Sequence, residues 1–264
     1  MKTWVLLRGL MRETRHWGHF VDQLQTRFPQ DQIICIEWPG NGLLHQQQSL
    51  TSIGDMAEYV QQSLIEKGID GPYHVIAISL GAMAAIEWAH RHPHCLASCT
   101  LINTSLRRYN PIHQRLRWSQ WPVLIRLALL APAEREAMIM RLTSQRQHVP
   151  PLLAWQNYAQ QYPISTANAL RQLWAASHYR APSCAPAVPL LMLNALGDQL
   201  VDPRCSAQIA AQWQVPLQTH PDAGHDLPLD DGEWVLTQIA ATFFNKTEDA
   251  SQNSLLSEAQ IHAL

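Results

Sequence analysis

Val75-Ile76-Ala77-Ile78-Ser79-Leu80-Gly81-Ala82-Met83-Ala84-Ala85-Ile86-Glu87-Trp88-Ala89 starts as a continuous apolar run, breaks at a serine and resumes at helical spacing. The run reads as a buried strand, the serine as a sharp turn and the remainder as a helix. A serine on such a turn stands clear of the sheet, beside the unpaired N–H groups of the helix's first turn. Both features suit a nucleophile whose reaction develops a negative oxygen. Small residues must flank the turn so that strand and helix can approach closely, and this chain has Ala77 where the G-x-S-x-G pattern has its first glycine. The structural alternative is a buried serine that merely starts a core helix. Val75–Gly81 alone supports both.

A chain of 264 residues has room for one large core and an inserted subdomain. A formal charge of −2 with 15% charged residues offers no basic surface for nucleic acid. No apolar run is long enough to span a bilayer. Trp4-Val5-Leu6-Leu7 runs straight into Arg8-Gly9, which reads as a first core strand rather than a signal peptide. Cys35, Cys95, Cys99, Cys184 and Cys205 form no C-x-x-C pair, which points to reduced thiols and a cytoplasmic location. Thirteen histidines show no metal-ligand spacing, so neither metal nor cofactor is expected. The expected partner is a small-molecule substrate, with the protein a monomer or homodimer.

Strand and helix patterns alternate through the first hundred residues. Trp4–Leu7 is a strand, His16–Phe28 a helix, Ile33–Ile36 a strand, and Ser52–Lys67 a helix with Ser52 and Asp55 as a capping box and Gly68 as its stop. His74–Ser79 and its helix follow, then a strand over Leu96–Asn103. This rhythm implies a parallel sheet with helices on both faces. From Ser105 to Pro189 there are only helical segments, Ile112–Ser119, Pro122–Leu130, Glu134–Leu142, Leu152–Tyr162 and Ser165–Tyr179, punctuated by prolines. That is more than a crossover needs and reads as an inserted cap. Strands return at Pro189–Leu193 and Val215–Thr219, with helices over Ser206–Trp213 and Trp234–Phe244. The division is thus residues 1–104 and 190–246 as core, 105–189 as cap and 247–264 as a tail.

Two later loops give Ser79 its meaning. Asp198 follows one strand and His225 follows the next, so both open at the carboxyl edge of the sheet with Ser79. A serine hydroxyl is a poor nucleophile at neutral pH. It needs an imidazole to take its proton, and the imidazole needs a carboxylate to fix its tautomer. Asp202 is an alternative acid, although its place before Pro203 reads as a helix start.

Five segments in order are similar to the capped α/β-hydrolases over residues 4–245: Arg8-Gly9, Glu37-Trp38-Pro39-Gly40-Asn41-Gly42, Ala77-Ile78-Ser79-Leu80-Gly81, Gly197-Asp198-Gln199-Leu200-Val201 and Ala223-Gly224-His225-Asp226. The resemblance implies an α/β-hydrolase fold, with a mostly parallel sheet, helices on both faces and an inserted helical cap. It implies Ser79 as nucleophile, Asp198 as acid and His225 as base, with the backbone N–H groups of Leu10 and Leu80 as oxyanion donors. The chain departs from the family in carrying Arg8-Gly9 where relatives have His-Gly, in Glu37 and Trp38 before Pro39-Gly40, and in lacking a serine after Gly42.

Arg8, Arg12, Arg15, His16 and His19 make the first loop unusually basic. Arg12 is a candidate for a substrate carboxylate or phosphate. The plainer reading has Arg12 and Arg15 in solvent, with Glu13 paired to one of them. Trp17 and Trp118 are candidate substrate contacts, against a reading in which helical spacing places most of the tryptophans in the core. The expected activity is a serine hydrolase acting through an acyl-enzyme on carboxylic esters of small to medium acyl groups. C–C hydrolysis, thioester cleavage and elimination use the same triad in this fold, and a non-catalytic ligand receptor is the rival from another class.

Overall fold

The computed structural model describes residues 1–127, 130–146 and 149–244. Thr3–Leu7 (β1) is buried at every position. Val5 and Leu7 enter one apolar cluster while Trp4 and Leu6 enter another on the opposite face. Tyr73–Ile78 (β3) divides in the same way, with Val75 and Ala77 on one side and Ile76 and Ile78 on the other. Both faces are covered, which is why these strands read as continuous apolar runs rather than alternating ones.

Gln32–Ile36 (β2), Leu96–Ile102 (β4), Leu190–Ala195 (β5) and Leu217–His220 (β6) complete a sheet ordered β2-β1-β3-β4-β5-β6. Every pairing is parallel. All strands therefore end at one edge, and the loops carrying Ser79, Asp198 and His225 leave from it.

On one face lie Phe20–Arg27 (α1) and Leu227–Phe243, which supply Phe20, Leu24, Val235, Leu236 and Ile239. Ile53–Glu66 (α2), Leu80–Arg91 (α3) and Arg204–Trp213 cover the other. Ser52 Oγ accepts from the Asp55 N–H at 3.3 Å, and Gly68 at φ +64° ends α2. The expected reciprocal half of the capping box is not among the hydrogen bonds formed.

Two expected helices are differently built. The one expected over His16–Phe28 is a 3₁₀ turn at Thr14–Trp17, a break at Gly18 (φ +51°) and then α1. The last helix begins at Leu227 and kinks at Asp231, whose carboxylate accepts the Trp234 N–H and so restarts the helix near the expected point.

Between β4 and β5 the described residues contain helices and no strand: Ile112–Arg115 (α4), Trp121–Leu127 (α5), Pro132–Thr143 (α6), Val149–Gln161 (α7) and Thr166–His178 (α8). The expected helix over Ile112–Ser119 stops after one turn, since the Arg117 N–H bonds the Leu200 carbonyl at 2.9 Å instead of continuing. The tail at 247–264 lies outside the described residues.

The insertion is tied to the sheet by polar contacts. Gln172 of α8 is fully buried, and its amide serves three core groups. It accepts from the Met11 N–H at 2.9 Å and donates to Asn41 Oδ1 at 2.7 Å and Ser49 Oγ at 3.0 Å. Asn168, one turn earlier, accepts from the Ser49 N–H and donates to the Gln47 carbonyl. Leucine at 172 keeps the volume but strands those groups. At about 1–3 kcal/mol for each buried group left unpaired, Gln172→Leu is expected to lose a few kcal/mol, read as a lower midpoint in urea unfolding, while Leu170→Gln on the exposed face changes it little.

Candidate active site

Ser79 adopts φ 57°, ψ −115°, a conformation that belongs to neither the strand before it nor the helix after it. Such a residue carries about 1–3 kcal/mol of strain, which its surroundings must offset. The Ser79 N–H donates to the Ile102 carbonyl at 2.9 Å, and the Ser79 carbonyl accepts from Thr104 Oγ1 at 3.1 Å. Gly81 explains the closeness of strand and helix: a Cβ there would collide with the Leu7 carbonyl oxygen and stand 2.6 Å from that of Arg8. Ala77, fully buried in β3, leaves the turn intact where the usual pattern has glycine.

His225 Nδ1 donates to Asp198 Oδ2 at 2.7 Å. This tautomer leaves Nε2 as a base. Asp198 is almost fully buried, and its other oxygen accepts from the N–H groups of Leu200 at 2.8 Å and Val201 at 2.9 Å. Burial disfavours a charged His225. The Asp198 carboxylate, its hydrogen bond and nearby Asp226 outweigh that effect and raise the ring's pKa above the ordinary histidine value. Ser79 and His225 line one cavity of about 190 Å³, together with Leu10 and Leu80. Ser79 Oγ makes no hydrogen bond to a described residue, as is common before substrate tightens such a site. The Leu10 and Leu80 amides likewise have no acceptor among the described residues.

Asp202 is placed otherwise. It accepts from the backbone and guanidinium of Arg204 and has no contact with His225. His220 is buried in a structural role, with Nδ1 accepting from the Ala223 N–H at 2.9 Å.

Asn103 is a positioning residue that sequence reasoning missed. At the end of β4 it sits at φ +46°, donates to the carbonyls of Gly224 and His225 at 3.2 and 2.8 Å, and accepts from the Ala195 N–H at 3.0 Å. One amide thereby fixes the β5 end and the histidine loop. An asparagine directly after a strand, a residue that tolerates left-handed backbone, was the available signal.

The first loop corrects the expectations about substrate contacts. Arg8 forms a two-bond pair with Asp226 at 3.0 and 2.6 Å, both side chains about 3% exposed. Burial opposes the Asp226 charge, yet Arg8 holds that carboxyl below the usual carboxylate range. Trp17 lies under Arg8, its ring 4.9 Å from the guanidinium, and stacks on Phe20 in the core, so it is not a substrate contact. Arg12 does line the cavity, but its charge is matched by Glu136 of α6 at 2.6 Å and its guanidinium rests on Trp155. It is a strut between loop and insertion rather than a free cation. Glu13 pairs with Arg15 at 2.5 Å. Trp118 is 66% exposed and outside the cavity lining. Glu37 is partly buried against Thr14, and burial, with Glu13 nearby, pushes its carboxyl up to about 7.

Apart from Arg8, Arg12, Arg115 and Asp226, the lining is largely apolar, with Ile78, Met83, Leu116, Ile139, Leu142 and Val201 among its residues. A family model described as the Alpha/beta hydrolase family matches residues 4–238. The chain belongs to that family. No curated protein matches it in sequence. Among solved structures, this α/β hydrolase is similar to a membrane phospholipase A described as a bacterial virulence factor, with a TM-score of 0.75 and 19% identity over 94% of this chain and 79% of that one. It is similar to a thermophilic esterase from Thermogutta terrifontis, with a TM-score of 0.69 and 17% identity over 91% of this chain and 89% of the other. It is also similar to the type II thioesterase BorB of the borrelidin biosynthetic cluster, with a TM-score of 0.63 and 19% identity over 92% of each chain. At these identities the likeness is one of fold.

In this α/β hydrolase, Arg8→Met removes one half of a buried pair and leaves the Asp226 charge in place. That is expected to cost about 3–5 kcal/mol, because the remaining buried carboxylate loses both of its guanidinium hydrogen bonds. The double variant Arg8→Met/Asp226→Leu should recover most of the loss in denaturant melts. A single variant as stable as the parent would remove the pair from the account of this site.

Proposed function

We propose that this α/β hydrolase is a serine hydrolase working through an acyl-enzyme, with carboxylic esters of small to medium acyl groups as substrates. The observation that carries the reading is the 2.7 Å bond from His225 Nδ1 to buried Asp198, at a largely apolar cavity that also holds Ser79. Ser79 Oγ attacks the ester carbonyl carbon while its proton passes to His225 Nε2. The carbonyl oxygen becomes an oxyanion and takes the Leu10 and Leu80 N–H groups. The imidazolium, stabilised by Asp198, gives the proton to the departing alkoxide as the C–O bond breaks. Water, deprotonated by His225, then releases the acid and restores Ser79.

In this reading residues 105–189 form the cap and residues 1–104 and 190–246 the core. The cavity size and apolar lining favour a short to medium acyl chain. Likeness in fold to an esterase and a thioesterase supports acyl transfer as the reaction class.

A fluorophosphonate probe is expected to label the protein at Ser79 and to leave Ser79→Ala unlabelled. Absence of labelling in the folded protein, with no turnover across ester and thioester panels, would point to a receptor that retains the pocket. Asp198→Asn should lower kcat by at least about a hundredfold. Asp202→Asn should not, and the reverse pattern would reassign the acid. The base must be neutral to act, so the raised His225 pKa predicts that kcat/KM falls on the acid side at a pH above the ordinary histidine value. Losing the Asp198 charge should move that limb to lower pH.

A further inference from the structure

The chain's overall charge of −2 hides a segregation. Residues 105–189 carry ten arginines, no lysine, and only Glu134 and Glu136 as acids, a formal +8. The remaining residues carry nine basic and nineteen acidic side chains, a formal −10. Glu136 is already taken by Arg12 of the core. Arg107, Arg126, Arg141 and Arg180 are exposed, and none has an acidic partner among the described residues. So many unneutralised cations on one layer repel each other in the free protein.

The same layer exposes large apolar side chains. Trp118 is 66% exposed and Trp174 58%, and Trp121 is also in solvent. Ile112 of α4 and Leu173 of α8 are exposed while lining the Ser79 cavity, so the cavity opens between these two helices. Arg115 holds the helices together, donating to the Ala176 carbonyl at 2.6 Å near the C-terminal end of α8. The mouth thus lies at Ile112 and Leu173, with Trp174 next to Leu173 along α8 but outside the cavity lining, and Trp118 and Trp121 in the segment directly after α4. An apolar, tryptophan-bearing patch inside a cationic layer is not what an isolated soluble surface presents.

We propose that this face docks on an anionic, phosphate-bearing lipid surface. Tryptophan is at home in the headgroup layer of a bilayer, with its apolar ring inward and its N–H toward water. Arginine binds phosphate oxygens through its planar fork, and basic side chains near an anionic leaflet each contribute to attraction. The acidic remainder of the molecule is repelled by the same surface, which turns the cap toward it. The patch then brings the cavity mouth to the acyl chains, and an ester can pass from lipid to cavity without crossing water. No described helix is long and apolar enough to cross a membrane, so the protein docks on the surface. That the substrate is a lipid ester rests on the acyl-enzyme reading above; the docking does not.

The test is co-sedimentation of the full chain, as wild type and as Ser79→Ala, with vesicles of phosphatidylcholine alone or mixed equally with phosphatidylglycerol. Both proteins should bind the anionic vesicles at least about tenfold more tightly than the neutral ones, with a loss in high salt. Arg126→Gln and Arg180→Gln should each weaken binding about fivefold. Trp118→Ser/Trp174→Ser should abolish it, with turnover of a short water-soluble ester unchanged. No binding, or equal binding to both vesicles, overturns the proposal. So does binding to poly-L-glutamate but not to vesicles, the behaviour expected of a surface made for an acidic protein. Vesicle binding by a protein that hydrolyses no soluble ester would leave docking standing and sink the catalytic reading instead.

Discussion

Arg8 is the residue through which the site is assembled. Its guanidinium closes a two-bond pair with Asp226, 218 positions away, and lies over the Trp17 ring. Its backbone carbonyl accepts the Trp38 indole N–H at 3.0 Å and stands where any side chain at position 81 would have to go. One residue therefore joins the loop after β1, the loop after β2, the start of α3 and the loop that bears His225. A charge in so dry a place is tolerable only because Asp226 is there. The pair also tunes its neighbour electrostatically, since Asp226 favours a charged His225 and Arg8 opposes it.

Around that pair the parallel sheet supplies the geometry. Six strands run the same way, so the chain leaves each at the same edge, and Ser79, Asp198 and His225 arrive there from three different loops. The backbone strain at Ser79 is held by hydrogen bonds from Thr104 and to Ile102. Asn103 fixes the distance between the β5 end and the histidine loop. Strand ends give position, and these few polar contacts give orientation.

The helical insertion is attached differently. Gln172, Asn168 and the Arg12–Glu136 pair bind it to the loops of the core through polar contacts rather than a shared apolar core alone. Arg126, Arg141, Trp121 and Trp174 stay exposed on its helices, while Leu116, Ile139 and Leu142 wall the cavity. Attachment and exposure are thus shared among the same helices, which lets one layer serve both the pocket and a surface.

Local information was enough for much of this. Apolar runs and helical spacing fixed the order of strands and helices, and Ser79, Asp198 and His225 were legible because each follows a strand in a small-residue turn. Where Gly18 or Asp231 broke a helix, periodicity alone did not show it, because a single backbone angle decides the break. The local Glu13–Arg15 pair was legible, but the distant partners of buried charges were not. Arg12 looked like a substrate contact from its place in a basic loop and Trp17 was a candidate aromatic contact, yet Glu136 neutralises one and Arg8 covers the other. The amino-acid sequence by itself determined which segments form the sheet and which residues stand at its edge, since both depend on neighbours a few positions away. Only the tertiary structure decided which charges cancel, which tryptophans are buried and where the cavity opens. The charges that cancel are 124 positions apart for Arg12 and Glu136 and 218 for Arg8 and Asp226, and they meet in a medium that does not forgive an unpaired charge.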